Sequence, residues 1–194
     1  MSLLKKLKIW FKGWNGELTV KLMNWWYLDK KIYHTINNVY LPTFGRGITQ
    51  IDHIIVSIYG IFVVETKNYN GWIQGNQYEK NWTQTFPSIK FPFQNPLHQN
   101  YGHIKNVSEI LKIPVNKFHS IVMFIGENCE FKTKMPNNVL LKGYIKYIKS
   151  KTEKILTEKE VTNTIEGIKA YRKPNNYKTK REHIEYIKNT YTKP

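Results

Sequence analysis

Two apolar runs, Ile54-Ile55-Val56 and Ile61-Phe62-Val63-Val64, stand either side of Ser57-Ile58-Tyr59-Gly60 and constrain this chain more than any other feature. A strand covered on both faces reads as a near-continuous apolar run, and a short connection ending in Gly joins two such runs as an antiparallel hairpin. Each run meets charge at its outer end. Gln50-Ile51-Asp52-His53 leads into the first and Glu65-Thr66-Lys67 closes the second. Ionisable groups on strands of this kind need a partner or a function.

The register decides which partner. If the four intervening residues are the loop, Val56 faces Ile61, Asp52 faces Glu65 and Gln50 faces Lys67. Directly opposed side chains have Cβ atoms about 4.5–5.5 Å apart, where two carboxylates repel unless a proton or cation lies between them. Lys67 falls on the same face as Glu65, two residues further on. A divalent ion held by two carboxylates beside an ammonium is a hydrolytic site for phosphate esters. A tighter turn at Tyr59-Gly60 instead pairs Ile58 with Ile61 and sets Asp52 against Lys67, an ordinary cross-strand ion pair. Both registers keep Asp52, Glu65 and Lys67 on one face. By the same alternation Gln50 shares it, positioned to bond a metal water or Lys67, and His53 points to the opposite face as a packed histidine.

The chain has 194 residues, enough for one well-buried core. We expect an α/β unit over residues 1–142, with its core at 14–125, and a basic helical extension over 143–194. Thirty Lys and Arg against fourteen Asp and Glu give a net charge of +16, which calls for a polyanionic partner or an anionic surface. Only Arg46, Arg172 and Arg181 are arginines. Lysine suits phosphate contacts and arginine the bidentate reading of guanine, so any nucleic acid would be bound through phosphates in a sequence-independent, salt-sensitive way. Cys129 is the one cysteine, which excludes an intramolecular disulfide and a cysteine-based zinc site. With lysines scattered among the N-terminal leucines and no run of about 18 apolar residues, neither a secretory signal nor a spanning helix is expected, and the predicted location is cytoplasmic.

Leu3, Leu7, Phe11, Trp14, Leu18 and Leu22 recur at helical spacing towards Trp25 and Trp26, interrupted at Gly13 and Gly16. The start of this stripe, with Lys5, Lys6, Lys8 and Lys12 beside Trp10 and Phe11, either packs on the core or lies peripherally on an anionic membrane. Tyr33 to Leu41 predicts a first strand. Segments 71–75 and 81–86 predict a second, smaller hairpin whose aromatics, Trp72, Trp82, Phe86 and later Phe91 and Phe93, pack it or stack on bases. Three prolines over residues 87–96 predict an irregular loop, after which Pro96 opens a helix with Leu97, Tyr101, Ile104, Val107, Ile110 and Leu111 on one side. Phe118 to Ile125 predicts a central strand and Val139 to Leu141 an edge strand. Thr157-Glu158-Lys159-Glu160 and Thr179-Lys180-Arg181-Glu182 each open a tail helix with a capping box. The order of helix, three strands, helix and strand gives a mixed sheet flanked by helices.

That order is also the core of the PD-(D/E)XK nuclease superfamily, a restriction-endonuclease-like fold. Residues 49–75, TQIDHIIVSIYGIFVVETKNYNGWIQG, closely resemble the signature of the nuclease-related, or NERD, domain. The resemblance extends to Trp82-Thr83-Gln84, to Asn95-Pro96 followed by Gln99, and back to Gly16-Glu17, covering residues 14–125. Ile51 stands before Asp52 where many nucleases of the superfamily have Pro, which is ordinary for the NERD pattern.

The resemblance implies roles position by position. Asp52 and Glu65 would ligate Mg²⁺ or Mn²⁺ with the backbone carbonyl of Thr66, and Glu17 would join the metal or hold its water. Lys67 would orient the attacking water and stabilise charge on the phosphate. Gln99 and His103, one helical turn apart, match an element that steadies the lysine or the scissile phosphate. The expected activity is metal-dependent hydrolysis of DNA phosphodiesters. Its rivals are a nucleic-acid-binding module that keeps the fold without chemistry, and peripheral membrane attachment.

Overall fold

A computed structural model describes residues 16–44 and 47–191, with the side chains of residues 16, 17 and 189–191 outside that description. The hairpin predicted from the apolar runs is the centre of the molecule. Strands β2 (Ile48–Ser57) and β3 (Gly60–Lys67) pair antiparallel with Val56 opposite Ile61 and His53 opposite Val64. This register excludes the Ile58–Ile61 alternative. Ser57 pairs with Gly60 across a turn at Ile58-Tyr59, and Gly60 adopts φ 121°, which only glycine reaches without strain.

Strand β1 (His34–Pro42) pairs antiparallel with β2 on its other side. Strands β7 (Phe118–Phe124) and β9 (Val139–Leu140) extend the sheet in parallel beyond β3, giving the order β1-β2-β3-β7-β9. A second sheet, β6-β5-β4-β8, is built from β4 (Gly71–Gln74), β5 (Asn81–Phe86), β6 (Ile89–Gln94) and β8 (Cys129–Phe131). The helices are α1 (Gly16–Tyr27), α2 (Pro96–Leu111), α3 (Tyr144–Lys149), α4 (Glu158–Tyr171) and α5 (Tyr177–Tyr191). The result is a mixed α/β fold of the restriction-endonuclease-like kind.

Both faces of the central hairpin are apolar because helices cover both. On one face Ile54, Val56, Ile61 and Val63 pack with Ile104 and Val107 of α2 and with Val161 and Ile168 of α4. On the other, Ile55, Phe62 and Val64 pack with Val20 of α1, with Leu28 just past its end, and with Tyr144 and Ile148 of α3. Each large apolar side chain so covered contributes roughly 1.5–3 kcal/mol relative to exposure. The segment after residue 142 is therefore built into both faces of the core. The small sheet docks through Trp82 and Ile73 onto Phe124 and Val122, with Trp82 stacked on Phe124 at 6.3 Å and 8°.

Four local expectations are corrected. The proline-rich stretch is not a loop: β6 pairs with β5, setting Pro92 opposite Thr83. Proline removes a donor, which an edge strand tolerates, and β6 is the sheet's edge. Tyr101 does not face inward but is exposed, and the inward positions of α2 are Asn100, His103, Ile104 and Val107. Helix α1 buries Val20 and Asn24, with Leu28 buried just after it, and leaves Trp25 and Trp26 exposed. Helix α5 is opened by Asn176, whose Oδ1 accepts from the Thr179 backbone at 2.9 Å, and not by Thr179. The box at Thr157 and Glu160 forms as read. The portion of the N-terminal stripe before residue 16 lies outside the described residues.

Candidate active site

The site lies where β2 and β3 part company. Their ladder runs to His53 and Val64 and stops, and at the next step the Asp52 carboxylate reaches across to accept the Thr66 backbone N–H at 2.8 Å. Glu65 and Lys67 follow on the α2 face, in phase with Ile61 and Val63. Lys67 Nζ donates to Glu65 Oε1 at 2.7 Å and to Gln99 Oε1 at 2.9 Å. His103, one turn along α2, lies with Nε2 3.4 Å from Glu65 Oε2 and with Nδ1 3.0 Å from Thr49 Oγ1. Strand β3 and helix α2 thus bring Glu65, Lys67, Gln99 and His103 into one cluster, with Asp52 tied to the same turn of strand.

Glu65 is only 4% exposed. Burial by itself would raise its carboxyl pKa, but His103 and the Lys67 ammonium together hold it below the ordinary carboxylate value, so Glu65 is an anion at neutral pH. An anion this deep is tolerated because a cation is within contact distance.

Gln50 is not part of the cluster, contrary to the alternation argument. The Tyr40 hydroxyl donates to Gln50 Oε1 at 2.9 Å, and Tyr40 in turn packs edge-on against His183. The cause is a break in the strands. The β1–β2 ladder skips the Asn38 and Asp52 positions, and Asn38 adopts φ 49°, a left-handed conformation that asparagine tolerates. Ile36 and Val39, three apart, consequently pack on the same cluster, as do Ile51 and Ile54. Everything before Asp52 in β2 is turned over relative to simple alternation. Thr49 and Ile51 reach the α2 side, and Gln50 is carried away from it.

His53 takes the opposite face, buried, with Nδ1 2.7 Å from Asn37 Oδ1. Burial chiefly, opposed by Glu65 and reinforced by Lys21, lowers its pKa to about 4. The side chain of Glu17 lies outside the described residues. Trp82 and Phe93 are packing residues, whereas Trp72 and Phe91 keep exposed faces.

Two supporting residues carry no sequence signal. Arg172, at the end of α4, donates to the carbonyls of Asn37 and Asn38 at 2.9 and 3.0 Å and so fixes the break beside Asp52. Asn100, fully buried beside Gln99, donates from Nδ2 to Val63 O, Ser120 Oγ and Ile121 O. It locks α2 over β3 and β7, which sets the reach of Gln99 to Lys67.

The donor set has the chemistry of a hard-cation site. Two carboxylates and the Thr66 carbonyl offer oxygen only, which suits Mg²⁺ or Mn²⁺, ions that keep several water or phosphate oxygens in their shells. Among the described residues no three of His, Cys, Asp and Glu form a ready-made cage. Asp52, Glu65 and Thr66 supply donors of that type, short of a complete cage.

The family profile described as the nuclease-related domain matches residues 12–125. A Bacillus anthracis protein described as uncharacterized is 36% identical over 198 residues, covering 99% of this chain and 91% of its own. No solved structure matches.

Proposed function

This chain belongs to the nuclease-related domain family, within the PD-(D/E)XK nuclease superfamily, and from that membership we propose that it is a metal-dependent nuclease hydrolysing DNA phosphodiesters. The observation that carries the reading is Lys67 Nζ held between Glu65 and Gln99, with the Asp52 carboxylate on the backbone N–H of the intervening Thr66. A binding surface gains nothing from carboxylates clustered where phosphate must lie.

Asp52, Glu65 and the Thr66 carbonyl would hold Mg²⁺ or Mn²⁺, which when bound neutralises phosphate charge and acidifies water. Lys67 exchanges part of its present hydrogen bonding for a phosphate oxygen, where its fixed charge favours the more negative transition state. Gln99 limits the rotamers of Lys67. His103, anchored by Thr49, stands against the far oxygen of Glu65 and holds that carboxylate's orientation. Water adds to phosphorus, the bridging P–O bond breaks, and the departing oxygen takes a proton. The +16 charge supplies sequence-independent attraction to the substrate. We assign the activity to the cytoplasm on the sequence features given above.

Purified protein incubated with plasmid, linear and single-stranded DNA in Mg²⁺ or Mn²⁺ tests the reading. Cleavage that disappears in Glu65→Ala and Lys67→Ala supports it, and cleavage unchanged by either substitution contradicts it. One observation favours a second reading, a nucleic-acid-binding module without chemistry: Lys67 already neutralises Glu65 at 2.7 Å. Salt-dependent DNA retention with no calorimetric Mg²⁺ site would select that reading.

A further inference from the structure

Helix α1 ends in Trp25-Trp26-Tyr27, and none of the three is packed away: they are 59%, 45% and 42% exposed. Three successive helical residues fan through about 200°. Val20 and Asn24 form the buried face of α1, with Leu28 buried just past its end, so all three rings fall on the side of the helix turned to solvent. Exposed large aromatics in this density are uncommon on a surface meant only for water.

Their surroundings are cationic. Lys30 Nζ sits 4.2 Å from the centre of the Trp25 ring, and Lys21 and Lys31 are exposed beside it. Helix α3 packs against the same face through Tyr144 and Ile148 and presents Lys146 and Lys149 outward. Asp29 is the acidic residue within this stretch of chain. Tryptophan and tyrosine ringed by lysine are the side chains that partition into a lipid headgroup layer, the rings at the acyl boundary and the ammonium groups on anionic headgroups. The sequence preceding α1 repeats that chemistry, with Lys5, Lys6, Lys8 and Lys12 among Leu3, Leu4, Leu7, Trp10 and Phe11.

We propose that the Trp25-Trp26-Tyr27 end of α1, with Lys21, Lys30 and Lys31, is a docking surface for an anionic lipid bilayer. Nucleic acid also carries negative charge and stacks on aromatics, but position separates the two. Helix α1 covers the Phe62 and Val64 face of the central sheet, whereas Glu65, Lys67 and Gln99 lie on the α2 face. A strand bound at the candidate site has the sheet between it and these rings. The surface holds the protein at a membrane while the α2 side stays open to solvent, and it does not depend on the nuclease reading.

The test is sedimentation of the full chain with vesicles of phosphatidylcholine alone and of phosphatidylcholine with phosphatidylglycerol, alongside tryptophan emission. The wild type should bind the anionic vesicles with a blue shift and a salt-sensitive affinity. Trp25→Ala/Trp26→Ala should lose roughly tenfold or more in partitioning, while circular dichroism, melting and DNA retention stay as in the wild type. Failure of the wild type to bind anionic vesicles overturns the proposal. So does equal binding by the double variant, which would assign attachment elsewhere, or a loss of DNA retention in place of vesicle binding, which would make this a nucleic-acid surface.

Discussion

His53 gives the sharpest thermodynamic prediction. It is buried with Nδ1 against the Asn37 amide oxygen, an acceptor, so the ring is the neutral Nδ1–H tautomer and Nε2 faces a site with no donor. Its pKa in the fold is about 4 against an ordinary 6.5. Between those values the unfolded chain takes up a proton that the folded chain refuses, so stability falls as pH falls. The gap of about 2.5 pH units, at about 1.36 kcal/mol each, amounts to ~3 kcal/mol lost between pH 6.5 and 4. For a chain of this length that is roughly 6–12 °C in Tm. Carboxylates begin to titrate at the acid end of that range, so the readout is a difference. Urea or thermal unfolding of wild type and His53→Gln is followed from pH 7.5 to 4. Wild type should be the more stable at pH 7, and the two curves should converge by ~3 kcal/mol on acidification, with no relative change above pH 7. Curves that run parallel throughout would refute the burial argument.

Three further outcomes are expected. Gly75→Ala places a Cβ 2.3 Å from the Trp82 ring, which is fully buried and tied by Nε1 to Asn76 O, so it should cost about 1–3 kcal/mol in chemical denaturation. Asn100→Ala leaves buried acceptors on β3 and β7 without their donor and should lower the urea midpoint by the equivalent of about 1–3 kcal/mol, with reduced cleavage as Gln99 shifts from Lys67. Arg172→Ala frees the Asn37 and Asn38 carbonyls and should speed amide exchange at residues 38–39 and 52–53 while leaving the small sheet protected.

What the sequence disclosed and what it hid divide along physical lines. The hairpin was legible because an apolar run long enough for a strand and a four-residue gap ending in Gly60 leave few pairings, and the structure chose Val56–Ile61 from the two registers the sequence left open. The ladder stops one step short of Asp52, whose carboxylate takes the Thr66 N–H instead of pairing across to Glu65. Gln99 and His103 at one-turn spacing were legible through the resemblance, and both reach the cluster. Gln50 was misplaced because alternation assumes an unbroken strand, and the left-handed backbone at Asn38 is decided by contacts, including an arginine 134 residues away. Strand β6 was hidden by Pro92, which reads as a breaker until the strand is known to be an edge. Tyr101 was misplaced because the inward position beside it goes to Asn100, whose amide nitrogen finds three acceptors, and those acceptors belong to strands 20 and 37 residues distant.

The nuclease assignment is tested most directly by single-turnover plasmid nicking with wild type, Glu65→Gln and Lys67→Met, each shown folded by its melt, in Mg²⁺, in Mn²⁺ and in EDTA. Nicking by the wild type is expected only with metal, reduced roughly 100-fold or more by either substitution. Nicking that persists in EDTA, or that both variants retain at the wild-type rate, would contradict it.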